Sequence, residues 1–292
     1  MIEAVHAFGD EEGAARRLAE ALNAPFHLIQ THVFPDGESL PTVAAGAGTV
    51  AIYRSLDRPD AKLMPLLLAA DALRRRGVGR LILVAPYLAY LRQDMVFEPG
   101  QPLSRDVLGR LLGERFDAVV TVEPHLHRTS DLTPVFAGAP VVALSATAPL
   151  AAALAPAPPG ALVVGPDGES QAWAQALAKL LSAEVFTFTK TRHGDRLVDL
   201  TLTDAAQVEG RPVVLVDDIC STGGTLVAAL NALRSMGARS IDLAVAHALF
   251  DTDTEARLRA AGARRILSTD SCPHPTNAAP LATLLAQALR NL

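Results

Sequence analysis

The residues best suited to chemistry stand in VVLVDDICSTGGT, residues 213–225: an apolar run, two acids, then small hydroxyl and glycine residues. Backbone N–H groups and hydroxyls at Ser221, Thr222, Gly223, Gly224 and Thr225 suit an anion such as phosphate. Glycine permits close approach, and the dipole of a helix beginning near Thr225 would assist. Asp217 and Asp218 precede this loop. Adjacent carboxylates suit sugar hydroxyls, directly or through a divalent cation, and are poor company for a phosphate. The plain alternative is an acidic strand end with an ordinary helix cap. No GxxxxGKS or GxxxxGKT occurs, which excludes a Walker P-loop.

Four smaller constellations accompany it. In KTRHGD, 190–195, Lys190 is one of three lysines among 26 basic residues, the other 23 being arginines. A compact ammonium can follow a phosphoryl group through transfer, while Arg192, two residues on and on the same side of an extended chain, offers a planar, fixed contact. A solvated basic hairpin is the alternative. APYLAYLRQD, 85–94, is a strand followed by a loop with Arg92, Gln93 and Asp94. The donor fork and amide suit phosphates and a purine edge, although exposed ion-pair clusters look the same. FPDGES, 34–39, reads as a turn, with Pro35 and Gly37 at turn positions. His125 and His127 point the same way from an extended segment, so zinc is conceivable, but no cysteine pair or third clustered histidine joins them. Two surface histidines is the plainer reading.

Positioning such loops requires a scaffold, and the apolar segments supply one. Strand-like runs fall at 49–53, 80–87, 118–123, 140–145, 161–167, 184–189, 212–218, 241–250 and 264–270. Helical patterns fall at 11–22, 62–76, 104–114, 169–181, 224–236 and 253–261. The clearest is 62–76, with Leu63, Leu66, Leu67, Ala70 and Leu73 on one face, Pro65 expected in the first turn and Gly77 ending it. Strand and helix alternating at this spacing predict parallel sheets flanked by helices, with ligands beyond the C-terminal strand ends. The Ala/Pro-rich stretch 147–160 reads as a divider between two similar α/β domains, 1–146 and 147–292. One continuous sheet is the alternative.

Composition narrows the function classes. With 292 residues, half of them hydrophobic and a fifth charged, the chain can bury cores and is not disordered. A net charge of −5 argues against a nucleic-acid partner. Residues 132–166 carry no charge, but seven prolines interrupt them, so a membrane span is not expected. Two cysteines cannot build a disulfide framework and the acidic N-terminus does not resemble a secretory signal, which points to the cytosol.

Residues 213–225 resemble the phosphoribosyl-diphosphate loop shared by type I phosphoribosyltransferases and ribose-phosphate diphosphokinases. FPDGES, APYLAYLRQDMVFEPGQPLS, VEPHLHR, VVGPDGES and KTRHGD resemble the diphosphokinase, in its order and over nearly the whole chain. The resemblance implies two phosphoribosyltransferase-like domains, each with a mainly parallel sheet. The first would bind ATP and the second ribose 5-phosphate, with the C-terminal helix packing back on the first. It implies transfer of the diphosphoryl group of Mg-ATP to the 1-hydroxyl of ribose 5-phosphate. Lys190 and Arg192 become the catalytic pair, and Phe34, Asp36, Gly37, Glu38, Arg92, Gln93 and Asp94 hold ATP. Arg192, Asp217, Asp218, Ser221, Thr222, Gly223, Gly224 and Thr225 hold the sugar phosphate, while His125 and Asp167 ligate Mg2+. A homo-oligomer with a shared nucleotide site is also implied. Glu123 and Pro124 replace an aspartate of the commoner pattern, and Ser221 replaces another. The serine form and the PYLAYLRQD spelling look more like the archaeal branch. A phosphoribosyltransferase, or a silent regulatory paralogue, is the alternative.

Overall fold

The computed structural model describes residues 1–126, 131–193, 197–202 and 207–292, and the side chains among them outside 190–202. Two compact units result. The first comprises Met1–Ser145, Ser271–Pro273 and Pro280–Leu292; the second comprises Ala146–Asp270 and His274–Ala279.

Unit 1 runs β1 (Ala4–Phe8), a 3-10 turn (Gly9–Glu11), α1 (Glu12–Leu22), β2 (Phe26–Val33), β3 (Ser39–Thr42), β4 (Thr49–Tyr53), α2 (Pro59–Arg75), β5 (Arg80–Val84), α3 (Ser104–Gly113), β6 (Ala118–Val122) and β7 (Val141–Leu144). Its seven strands are ordered β3-β2-β1-β4-β5-β6-β7. All neighbours are parallel except β2 and β3, which form an antiparallel edge hairpin. Central strands such as TVAIY and RLILV are apolar and buried beyond their first residue because a parallel sheet covered by helices buries both faces.

Unit 2 repeats the plan with α4 (Thr147–Leu154), β8 (Leu162–Gly165), α5 (Gln171–Leu181), β9 (Glu184–His193), β10 (Leu197–Leu202), β11 (Pro212–Cys220), α6 (Gly224–Ser235), β12 (Ser240–Ala248), α7 (Thr252–Ala260), β13 (Ala263–Thr269) and β14 (Asn277–Ala279). The order is β10-β9-β8-β11-β12-β13-β14, with only β9 and β10 antiparallel. Position for position, this is the path of unit 1. Two sheets exclude the continuous-sheet alternative. The last helix, α8 (Ala282–Arg290), packs against α1, β6 and β7 of unit 1.

Two sequence expectations need correction, in α2 and β9. Helix α2 begins at Pro59, so Pro65 lies inside the helix and not in its first turn. Pro59 takes the first position, where a missing N–H costs nothing. The face is as expected, with Leu66, Ala70 and Leu73 buried and Leu63 and Leu67 half-buried. The divider at 147–160 contains a helix, α4, because Pro149 falls in its first turn, where the amide has no helical partner to lose. Strand β9 does not stop before Lys190. It continues to His193, and Lys190 and Arg192 pair with Leu200 and Val198 of β10.

Candidate functional site

In unit 2 the strand order turns back between β8 and β11, the switch point at which open parallel sheets hold ligands. Strand β8 pairs with β11 only as far as Val164 opposite Leu215, whereas β11 continues along β12 to Cys220. Asp217 and Asp218 therefore lie within β11, not beyond its end, on the part that outruns β8. Both are half-buried. Asp167 follows β8 and accepts the Ser170 N–H on Oδ1 at 3.3 Å at the start of α5. Burial, then the charges of Asp218 and Asp167, push the Asp217 carboxyl well above the usual carboxylate range. Asp217 thus stands within electrostatic reach of both other acids at this crevice.

Among the described residues no three carboxylates, imidazoles or thiols form a ready metal cage. A cation carried by a polyphosphate needs only one or two protein carboxylates, so hard oxygen donors straining against one another fit magnesium. Asp167 is in that group. His125 stands in unit 1, half-buried, three residues beyond β6.

The loop after β11 reaches α6 through Gly223, the residue before the helix, at φ +70°. A Cβ there would stand 2.8 Å from Thr254 Cγ2, so glycine is required twice over, by conformation and by space. No side chain caps α6, and Thr222, Gly224 and Thr225 are exposed, with Ser221 half-buried. The first turn of α6 therefore offers its amides outward. Arg257 of α7 donates to the Thr222 carbonyl at 2.9 Å and to Thr254 Oγ1 at 2.8 Å. Holding that carbonyl turns the Gly223 amide the other way, away from Arg257. No sequence signal singles out Arg257, which reads as one more helix-surface charge. Cys220 is buried and its thiol is pushed up to about 12, by burial first and by Asp217 second. It is not a nucleophile.

Unit 1 carries the remaining groups. Phe34–Glu38 closes the β2–β3 hairpin: Gly37 donates to the Phe34 carbonyl at 2.9 Å, the Phe34 N–H donates to Glu38 O at 2.8 Å, and Gly37 adopts φ +92°. This is the turn expected from FPDGES, with an αL glycine at its third position. Phe34 remains 39% exposed and meets the His32 ring edge-on at 4.5 Å. Arg92 and Gln93 are exposed in the irregular segment after β5, Asp94 is half-buried, and Ser104 donates to Gln93 Oε1. Glu123 takes φ +38°, donates its N–H to Leu144 O at 2.8 Å and accepts from Ser145 Oγ at 2.6 Å. His127, Gly194 and Asp195 lie outside the described residues, as do the side chains of Lys190 and Arg192.

Comparison with known proteins follows the same division. A family model described as the N-terminal domain of ribose phosphate pyrophosphokinase matches residues 5–114, and a phosphoribosyl transferase domain model matches 160–281. A ribose-phosphate pyrophosphokinase of the archaeon Methanopyrus kandleri is 36% identical over 281 residues, covering 95% of each chain. One from Maricaulis maris is 32% identical over 95% of this chain and 93% of its own. The crystal structure of phosphoribosylpyrophosphate synthetase from Mycobacterium smegmatis aligns with a TM-score of 0.83 at 26% identity, covering 99% of this chain and 98% of that one. With both halves matched by the family's domains and full-length relatives at this identity, the chain belongs to the ribose-phosphate pyrophosphokinase family.

Proposed function

We propose that the protein transfers the β,γ-diphosphoryl group of Mg-ATP to the 1-hydroxyl of ribose 5-phosphate, giving 5-phosphoribosyl 1-diphosphate and AMP. One observation carries the reading within the fold. An uncapped helix start behind an acid pair, suited to a sugar phosphate, stands in a chain with a whole second unit of the same topology bearing the FPDGES hairpin and the RQD loop. A phosphoribosyltransferase would have no need of that second unit. Intact Lys190 and Arg192 argue against a silent paralogue.

In this reading the amides and hydroxyls of Ser221–Thr225 bind the 5-phosphate, and Asp217 and Asp218 orient the ribose hydroxyls. Arg92, Gln93 and Asp94 take the nucleotide, with Phe34, Asp36, Gly37 and Glu38 reaching it from a neighbouring subunit of a homo-oligomer. His125 and Asp167 are the magnesium ligands. Magnesium, when bound, neutralises polyphosphate charge. The 1-hydroxyl oxygen bonds to the β-phosphorus as the α,β-bridging bond breaks, AMP leaves with the bridging oxygen, and the hydroxyl proton is released. Lys190 follows the charge on the transferring group, and Arg192 fixes its orientation. Such transfers rest on positioning and charge stabilisation, which this set of groups supplies without a covalent nucleophile. A cytosolic location is part of this reading; no helix among the described residues is long and apolar enough to cross a membrane.

The test is to incubate the pure protein with Mg-ATP and ribose 5-phosphate and separate the nucleotides. AMP formed only when both substrates are present supports the reading; ADP, or no turnover, contradicts it.

A further inference from the structure

The switch point of unit 2 carries Asp217, Asp218 and the uncapped start of α6, whereas the equivalent place in unit 1, between β1 and β4, is filled by the chain's own charges. Arg54, just after β4, and Lys62, in the first turns of α2, are each only 6% exposed, and Glu11, after β1, is 3% exposed. Lys62 Nζ donates to Glu11 Oε1 at 2.7 Å, to Asp57 Oδ1 at 2.5 Å and to the Ser55 carbonyl at 3.0 Å. Arg54 donates to Asp10 Oδ1 at 2.6 Å and to Glu11 Oε2 at 3.3 Å, and its guanidinium lies over the Phe8 ring. A buried ion cluster of this kind is a poor source of stability, since apolar replacements commonly do as well or better. Its value should lie in what it fixes.

What it fixes is Ser55. The Ser55 N–H donates to Glu11 Oε1 at 3.1 Å while its carbonyl accepts from Lys62, so both flanking peptides are held by the cluster. The Ser55 hydroxyl oxygen then accepts the Tyr87 N–H at 3.3 Å, and the Leu56 N–H donates to the Tyr87 carbonyl at 2.9 Å. Tyr87 is thereby clamped on both sides, five residues before Arg92. Farther along, the Tyr90 hydroxyl donates to Asp60, which sits in the first turn of α2 two residues before Lys62. Tyr90 adopts φ +62°, and its carbonyl accepts from the Gln93 N–H at 3.2 Å. Residues 55–62 thus hold the loop at 87 and at 90, and the loop delivers Arg92 and Gln93.

We infer that Lys62 and Glu11 are positioning residues for nucleotide binding, acting through Ser55 and Tyr87 on the loop that carries Arg92 and Gln93. The inference rests on the reading of that loop as an ATP contact. It also accounts for a lysine at position 62 in a chain with three lysines. An ammonium can direct its three donors separately at Glu11, Asp57 and the Ser55 carbonyl, which a planar guanidinium cannot do from the same stem.

Steady-state kinetics on Lys62→Met, Ser55→Ala and Arg92→Ala, with melting temperatures recorded alongside, test this. Ser55→Ala removes one oxygen and keeps a readable variant available if Lys62→Met does not fold. The expected result is a rise in KM for ATP of about fivefold to tenfold in Ser55→Ala and more in Lys62→Met, with KM for ribose 5-phosphate within about twofold of the parent. A folded Ser55→Ala or Lys62→Met with both KM values unchanged, or with both raised alike, would overturn the inference while Arg92→Ala still raises KM for ATP. An Arg92→Ala variant with normal KM for ATP would remove the loop reading and this inference together.

Discussion

Lys190 is proposed to act on charge that develops during transfer, so its removal should be felt in turnover. Lys190→Ala is expected to lower kcat about a hundredfold or more with the melting temperature nearly kept. Near-normal turnover in a folded variant would remove Lys190 from the catalytic pair. At the other substrate, Thr225→Val and Ser221→Ala each delete a hydroxyl of the phosphate loop. Each should raise KM for ribose 5-phosphate, and not KM for ATP, by an amount corresponding to about 0.5 to 3 kcal/mol per lost hydrogen bond. A selective rise in KM for ATP would exchange the two assignments. Residue types were legible here wherever a motif lies contiguous in the chain. The loop and helix start after β11 and the FPDGES turn could be read directly because short-range backbone geometry decides them. Arg257 and the cluster around Lys62 could not, since their partners come from sequence positions 35 and 51 residues away.

Element by element, the central parallel strands other than β1 were legible because both faces are buried and the runs are mostly apolar. The edges were not. Strands β2 and β3 form a half-exposed hairpin whose sequence, FHLIQTHV in β2, has neither a continuous apolar run nor clean alternation. Strand β1 was missed because AVHAF is short and has a histidine at its centre. That histidine has a consequence for stability. His6 is fully buried, its ring 5.0 Å from that of His27, and neither ring nitrogen has a hydrogen-bond partner among the described residues. Burial first, and His27 second, depress its pKa from 6.5 to about 4. The folded protein therefore refuses a proton that the unfolded chain accepts. Stability associated with neutral His6 is present above pH about 6.5 and is lost as pH falls toward about 4. His6→Leu should gain stability relative to the parent across that window, by up to about 3 kcal/mol at its acid end. Denaturant melts of both proteins at pH 7 and pH 4.5 measure the difference. Glu11 and every other shifted group are common to both, so they cancel. A pH-independent difference would show that His6 does not titrate in this way.

At the scale of the whole molecule, the two similar units were legible from the order of elements, and the resemblance added what each would hold. How subunits share a site is a matter for assembly. If Phe34, Asp36 and Glu38 reach the nucleotide of a neighbour, Asp36→Ala and Lys190→Ala should each be strongly impaired while injuring different contributions to a site. Mixing them with subunit exchange should restore part of the activity, and dilution of the parent protein should lower specific activity by mass action. No rescue after verified exchange, or full activity in a sedimenting monomer, would rule out sharing. The central claim is that two phosphoryl groups move together to the sugar. Following ATP labelled in turn at the α-, β- and γ-phosphorus during turnover with ribose 5-phosphate tests it most directly. The expected result is that the β and γ labels both pass into one sugar product in equal amount while the α label stays in AMP. Transfer of the γ label alone, with ADP left behind, would contradict it.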